Sequence, residues 1–218
     1  MAKKTLEPQQ ARSRESSRKL LKAAAEVLGQ HGLEGTTIPR IARHAGLTPG
    51  SIYRRFHDKE ELLETVILGI LERQDERLHA SLTPEMARQI PLPVFADQII
   101  NGMVVSYRMS APLLHALRQF VQGRANTPFW HKAARLEVRT CEHLVDLIMT
   151  HRKEISHPDP RTAVSLALMM VTSTLFELVV APTDLKLWKN LLPKDDQELR
   201  HELVRAFLNY LGVEQKRA

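Results

Sequence analysis

The stretch Thr48-Pro49-Gly50-Ser51-Ile52-Tyr53-Arg54-Arg55-Phe56 concentrates groups that bond to other molecules: two hydroxyls, a phenol and two adjacent guanidiniums. Once Ile52 and Phe56 turn inward, Thr48, Gly50, Ser51, Tyr53, Arg54 and Arg55 remain for an outer face. The chemistry of such a face is recognition. A guanidinium can bond guanine O6 and N7 together, and a hydroxyl can donate to a phosphate oxygen. A plain helical hairpin whose arginines merely face water would carry the same residue types.

Groups that catalysis would need are present but not arranged for it. Among the 10 histidines and the single cysteine, Cys141 and His143 lie two apart and diverge on a helix, and His151, His157 and Asp159 straddle a break. The sequence holds no glycine-rich phosphate loop and no zinc-type spacing. The expectation is a protein that is not an enzyme and that uses no cofactor and no metal, with a helical enzyme as the alternative. A lone cysteine cannot close an internal disulfide, which suits a reducing cytoplasm. The opening MAKKTLEPQQARSRES has lysines with no apolar run behind them, so no secretory signal is expected.

Presenting that face requires two helices crossing at a three-residue turn, and Ile38 to Phe56 fits the requirement. Ala42 is small at the crossing, Gly46 suits a turn with positive φ, and Ile41, Ala45, Leu47 and Ile52 are apolar at the contacts, with Phe56 closing a small core. Thr37 caps the first helix with Pro39 in its opening turn, and Thr48 caps the second with Pro49 first. Asp58 and Glu61 have capping-box spacing at the start of a long helix. Upstream, the periodicity predicts a helix from Arg14 to Gln30 that stops at His31-Gly32, preceded by a basic arm at 1–13. Downstream it predicts helices over 93–109, 112–122, 127–153, 159–180 and 195–211, and no segment alternates like a strand. The fold class is all-α.

Charge divides the chain. Residues 1–57 carry a net +7 and residues 58–218 a net −1. A polyanion-binding module of 1–57 joined to a neutral body of 58–218 accounts for this, a solvated basic helix face being the bland alternative. Residues 163–181 are about as long as a bilayer needs, but they contain Ser165, Thr172, Ser173, Thr174 and Glu177, so a buried helix and no membrane span is expected.

With these residues in place, GLEGTTIPRIARHAGLTPGSIYRRFHDKEELL resembles the N-terminal signature of the TetR (tetracycline repressor-like) regulators over about residues 14–66, at Gly32, Thr37, Ile41-Ala42, Ala45-Gly46, Gly50, Ile52-Tyr53, Phe56 and Lys59-Glu60. The resemblance implies an N-terminal helix-turn-helix domain joined to a helical ligand-binding and dimerisation domain. It also implies a cytoplasmic homodimer on a near-palindromic operator in double-stranded DNA, acting as a repressor until a small-molecule effector binds. An activator, or a regulator without effector, is the alternative. By position Thr37, Thr48, Tyr53 and Lys59 match the family's phosphate contacts. Ser51 and Arg54 are assigned to base edges, with Pro49 and Gly50 allowing close approach. Arg40 and Arg55 could do either, and the Arg54-Arg55 pair stands where the family often has an aromatic residue or histidine, which leaves open which of the two reads sequence.

The family pattern also implies an effector cavity, for which Met103, Tyr107, Phe120, Phe129, Trp130, Met149, Met170 and Phe176 are candidates, although the same residue types at helical spacing also build cores. Helix 159–180 is apolar nearly all round, and Leu199, Leu203, Phe207 and Leu211 recur every four residues. Burial on two sides fits a four-helix dimer interface.

Overall fold

The computed structural model describes residues 6–180 and 190–214, with side chains from Glu15 onward. Among the described residues every regular element is helical: α1 (Leu6–Gly35), α2 (Ile38–Ala45), α3 (Pro49–Tyr53), α4 (Lys59–Ser81), α5 (Pro84–Arg88), α6 (Leu92–Val121), α7 (Pro128–Met149), α8 (Pro160–Leu175) and α9 (Asp196–Leu211). A 3-10 turn at Arg152–Glu154 and a π-helical turn at Phe176–Val180 complete the order.

The helix starts share one local chemistry. A side-chain oxygen accepts from the N–H three residues ahead at Thr37, Thr48, Asp58, Thr83, Thr127, Asp159 and Asp195, over 2.8–3.4 Å. This satisfies a donor that the helix itself leaves orphaned. Asp58 works as half of a reciprocal pair, because the N–H of His57 donates to Glu61 Oε2 at 2.6 Å. Asp195 repeats the device, with the Lys194 N–H donating to Glu198 Oε2 at 2.7 Å.

Several boundaries differ from those the sequence predicts. Helix α1 begins at Leu6 rather than Arg14, so of the expected basic arm only residues 1–5 lie outside the described residues. Gly32 does mark a stop, with φ 65 and ψ −176, but one more helical turn follows it to Gly35. Separate helices over 93–109 and 112–122 are replaced by the unbroken α6 with Pro112 inside it. A proline there costs one backbone bond, about 3 kcal/mol in a helix interior. Burial of Val104 before it and of Ala116 and Phe120 after it offsets that cost. The expected helix over 127–153 ends at Met149, and α5 is a further turn that the periodicity does not announce.

The chain forms two compact units. The first contains the described residues up to Glu72 together with Pro112–Ala133; the second contains Arg73–Ala111 and the described residues from Ala134 onward. In the first, α1 and α4 serve two cores. Leu20, Ala24 and Val27 with Leu62 and Val66 hold Ile38, Ile41, Ala42 and Ile52, while Leu28 with Leu63 and Ile67 holds Ala116, Phe120 and Phe129. In the second, Phe95, Ile99, Ile100 and Val104 of α6 pack with Leu144, Leu147 and Ile148 of α7, with Val164, Leu168 and Val171 of α8, and with Leu203 and Phe207 of α9.

Helix α8 is not buried all round, as the sequence suggests. Ala163, Val164, Ala167, Leu168, Val171 and Leu175 face the core, while Leu166, Met169 and Met170 are 41%, 63% and 42% exposed. With its π-helical turn the helix is long and apolar enough to cross a membrane by length and composition alone, a property that core helices share.

A buried carboxylate joins α4 to α7 inside the second unit. Asp75, 0% exposed, accepts from Arg139 Nε at 2.7 Å, from Arg139 Nη2, and from Thr140 Oγ1 at 2.9 Å. Next to it the His79 and His143 rings stack 3.8 Å apart, and His143 Nε2 lies 3.0 Å from the Leu82 carbonyl oxygen. The bonds from Arg139 hold the Asp75 carboxyl below the usual carboxylate range. A carboxyl whose pKa is depressed on folding adds stability above its unfolded pKa of about 4, and that stability is lost as pH falls through the folded value. We therefore expect Asp75→Asn to lower stability at neutral pH by about 1–3 kcal/mol in urea unfolding, and to remove part of the loss that the wild type shows on acidification below about pH 4. A variant with unchanged stability and an unchanged acid limb would refute this account of Asp75.

Candidate nucleic-acid interface

Helices α2 and α3 meet at a turn that only a residue free of Cβ constraint enters cheaply. Gly46 has φ 66 and ψ 34, its N–H donates to Arg43 O at 3.3 Å, and the Leu47 N–H donates to Ala42 O at 2.8 Å. This closes α2 and turns the chain within three residues. Thr48 then caps α3, Pro49 opens it, and Ile52 is fully buried in the core formed by α1, α2 and α4. Phe56, half-buried, packs against the same core.

All ten residues that the sequence predicts for nucleic-acid contact fall in the first unit. Thr37, Arg40, Thr48, Pro49, Gly50, Arg54 and Arg55 are exposed, Tyr53 is 56% exposed, and Ser51 and Lys59 are half-buried. Their freedom differs. The Thr37 and Thr48 oxygens accept backbone bonds as caps, which leaves each hydroxyl hydrogen able to donate outward. The Ser51 hydroxyl donates to Thr48 O at 2.7 Å, so it offers lone pairs rather than a free O–H. Arg40 Nη1 donates to Gly35 O, which turns its guanidinium back to the end of α1.

Two ties fix α2 and the end of α3 against α1, and sequence reasoning missed both. His44 Nε2 lies 2.7 Å from Glu26 Oε2, and Arg55 Nη2 donates to Ser16 Oγ at 3.2 Å. The His44 bond, with Lys22 nearby, holds the Glu26 carboxyl below its ordinary range. No local spacing signals a contact between residues 18 or 39 apart in the chain.

The eight candidate effector residues are divided. Phe120 and Phe129 are buried in the first unit with rings edge to face at 5.6 Å, and Trp130 lies half-buried, 5.1 Å from the His131 ring. Met103, Tyr107 and Met149 pack half-buried against the core of the second unit, Phe176 begins its π-helical turn, and Met170 faces outward. Burial of inward-facing atoms pushes the Tyr107 phenol up, and Glu137 and Cys141 add to the shift. Glu137 and Cys141 are exposed, yet desolvation by neighbouring atoms raises the Glu137 carboxyl, and it raises the Cys141 thiol with help from Glu137.

The model of the bacterial regulatory proteins of the tetR family matches residues 20–66, the stretch that builds this interface. The HTH-type transcriptional regulator BetI of Escherichia coli O45:K1 (strain S88 / ExPEC) is 26% identical over 150 residues, which is 67% of this chain and 73% of BetI. The HTH-type transcriptional repressor KstR2 of Mycolicibacterium smegmatis is 33% identical over 119 residues, which is 52% of this chain and 57% of KstR2. In fold, the transcriptional regulator FadR from Bacillus subtilis, solved in complex with stearoyl-CoA, superposes with a TM-score of 0.62 at 19% identity, covering 88% of this chain and 98% of that one. With its helix-turn-helix in residues 38–56, this chain is a DNA-binding transcriptional regulator whose residues 20–66 match the bacterial regulatory proteins of the tetR family.

Proposed function

We propose that this chain is a cytoplasmic homodimeric repressor that seats one α3 per protomer in successive major grooves of a near-palindromic operator and lets go when a small-molecule effector binds. Residues 1–57 act as the DNA-binding domain, and residues 58–218 bind the ligand and dimerise. The observation that carries this reading is the outer face of α3, where Gly50 and Arg54 stand exposed opposite a buried Ile52 and Tyr53 is exposed on the flank. A short helix with few base contacts gains by two-fold pairing, which doubles them and sets the half-site spacing. Thr37, Thr48, Tyr53 and Lys59 take phosphates, Lys59 aided by the start of α4. Ser51 and Arg54 take base edges across the Pro49-Gly50 opening, and Arg40 adds a contact at the rim.

The outward stripe of Leu166, Met169 and Met170 supports dimerisation, because a two-fold axis along α8 would cover it with its own copy. That FadR shares this fold and was solved with stearoyl-CoA supports an effector within the helical body of this chain. Met103, Tyr107, Met149, Met170 and Phe176 are the candidates from the second unit, and Phe120, Phe129 and Trp130 those from the first.

Selection of bound duplexes from a random pool should return two inverted half-sites spaced by about 10 base pairs or a multiple of it. Failure to enrich any sequence would refute DNA reading. Lys59→Ala should weaken all duplexes alike and reduce the slope of log K against log salt by about 0.9 per lost phosphate contact; a change in sequence preference instead would reassign Lys59. Light scattering should give twice the protomer mass for the wild type and the protomer mass for Met169→Glu. An intact Met169→Glu dimer would move the interface away from α8.

A further inference from the structure

The helical phase of α3 sorts its polar residues by direction. The hydrogen bonds Arg54 N–H to Gly50 O at 3.2 Å and Phe56 N–H to Ile52 O at 3.0 Å carry that phase through to Phe56. Stepping about 100° per residue from the buried Ile52, Phe56 lies about 40° away, while Gly50 and Arg54 lie about 160° away, nearly opposite the core. Ser51 and Arg55 fall on one flank, and Pro49 and Tyr53 fall on the other. At Gly50 there is open space where a side chain would stand, so the backbone beside Arg54 can approach a partner closely.

The two arginines therefore differ in aim and in engagement. Arg54 is exposed, and among the described residues no bond holds its guanidinium. Arg55 is held through Nη2 to Ser16 Oγ, on the side of α1. Bidentate reading of a guanine needs the guanidinium fork pointing along the groove floor, and the bond to Ser16 aims the Arg55 fork toward α1 instead. A phosphate asks less, because the remaining N–H groups suffice for a charge-assisted contact at the groove wall. Ser16 belongs to the strip of α1, with Glu15 and Lys19, that lines an open cleft beside the Ala45-Gly46-Leu47 turn.

We propose that of the two arginines only Arg54 reads a base edge, that Arg55 grips a backbone phosphate on the α1 flank while Tyr53 grips on the other, and that Ser16 is the positioning residue that sends Arg55 there. The assignment rests on the reading above that α3 enters a major groove.

The experiment uses the full-length protein, duplexes selected from a random pool, and thermal melting to confirm that each variant is folded. Arg54→Ala should flatten the preference at one base pair of each half-site by roughly 5- to 150-fold and leave the salt slope nearly unchanged. Arg55→Ala should weaken every duplex by a common factor and reduce the slope of log K against log salt by about 0.9 per lost contact. Ser16→Ala should lower affinity and slope in the same direction without altering base preference, should add nothing in the Arg55→Ala background, and should be rescued by Ser16→Thr, which keeps the hydroxyl. The proposal is overturned if Arg55→Ala changes base preference, if Arg54→Ala weakens all duplexes alike, or if Ser16→Ala and Arg55→Ala add independently. A protein that selects no duplex at all defeats the DNA-reading assignment itself, whereas those three outcomes defeat only the division of labour.

Discussion

A helix of five residues cannot hold itself together in water, because nucleating the first turn costs more than so few hydrogen bonds return. Helix α3 exists because Ile52 is buried against a surface already formed by α1, α2 and α4, and because Thr48, Pro49 and Gly46 leave the chain few other ways to enter it. The recognition face is thus a by-product of apolar burial. With Ile52 inward, the phase of the helix decides what faces out, and moving the burial by one residue would rotate Gly50 and Arg54 out of position by about 100°.

Around that anchor the polar contacts refine direction rather than create it. The contact of His44 with Glu26 and the bond from Arg40 to Gly35 O tether α2 to α1 at both of its ends, and the bond from Arg55 to Ser16 does the same for the end of α3. These groups are exposed, so each contributes modestly to stability. Their value is geometric, since a recognition helix must be held to a fraction of the width of a groove. The unit that contains them is thicker than a bare three-helix domain, because Ala116, Phe120, Phe129 and Ala133 add a second core on Leu28, Leu63 and Ile67.

What was legible in the sequence follows from range. Caps act over three residues and turn glycines act at one, so Thr37, Gly46, Thr48 and Asp58 could all be read directly, and the structure places each where its chemistry demands. Proline misled at position 112, because a local penalty of about 3 kcal/mol is decided by burial that no local pattern reports. The membership of the three cores, the exposed stripe on α8 and the partner of Asp75 depend on residues tens of positions apart, and they became visible only with the fold. For the effector candidates, residue type alone could not separate packing from lining, and the burial of Phe120 and Phe129 and the exposure of Met170 came only with the fold.

The prolines that open helices have an asymmetric effect on where the molecule can yield. Pro39, Pro49, Pro84, Pro128 and Pro160 each sit in a first turn, and the residue before a proline is steered away from helical backbone, so these helices cannot lengthen backward or slide in register. Their looseness is confined to the opposite end. In α3 the fixed start is the exposed Pro49-Gly50 pair, and the end that carries Arg54 and Arg55 is held by the burial of Ile52 and Phe56 and by the bond from Arg55 to Ser16, so any adjustment in how the arginines are presented passes through those contacts.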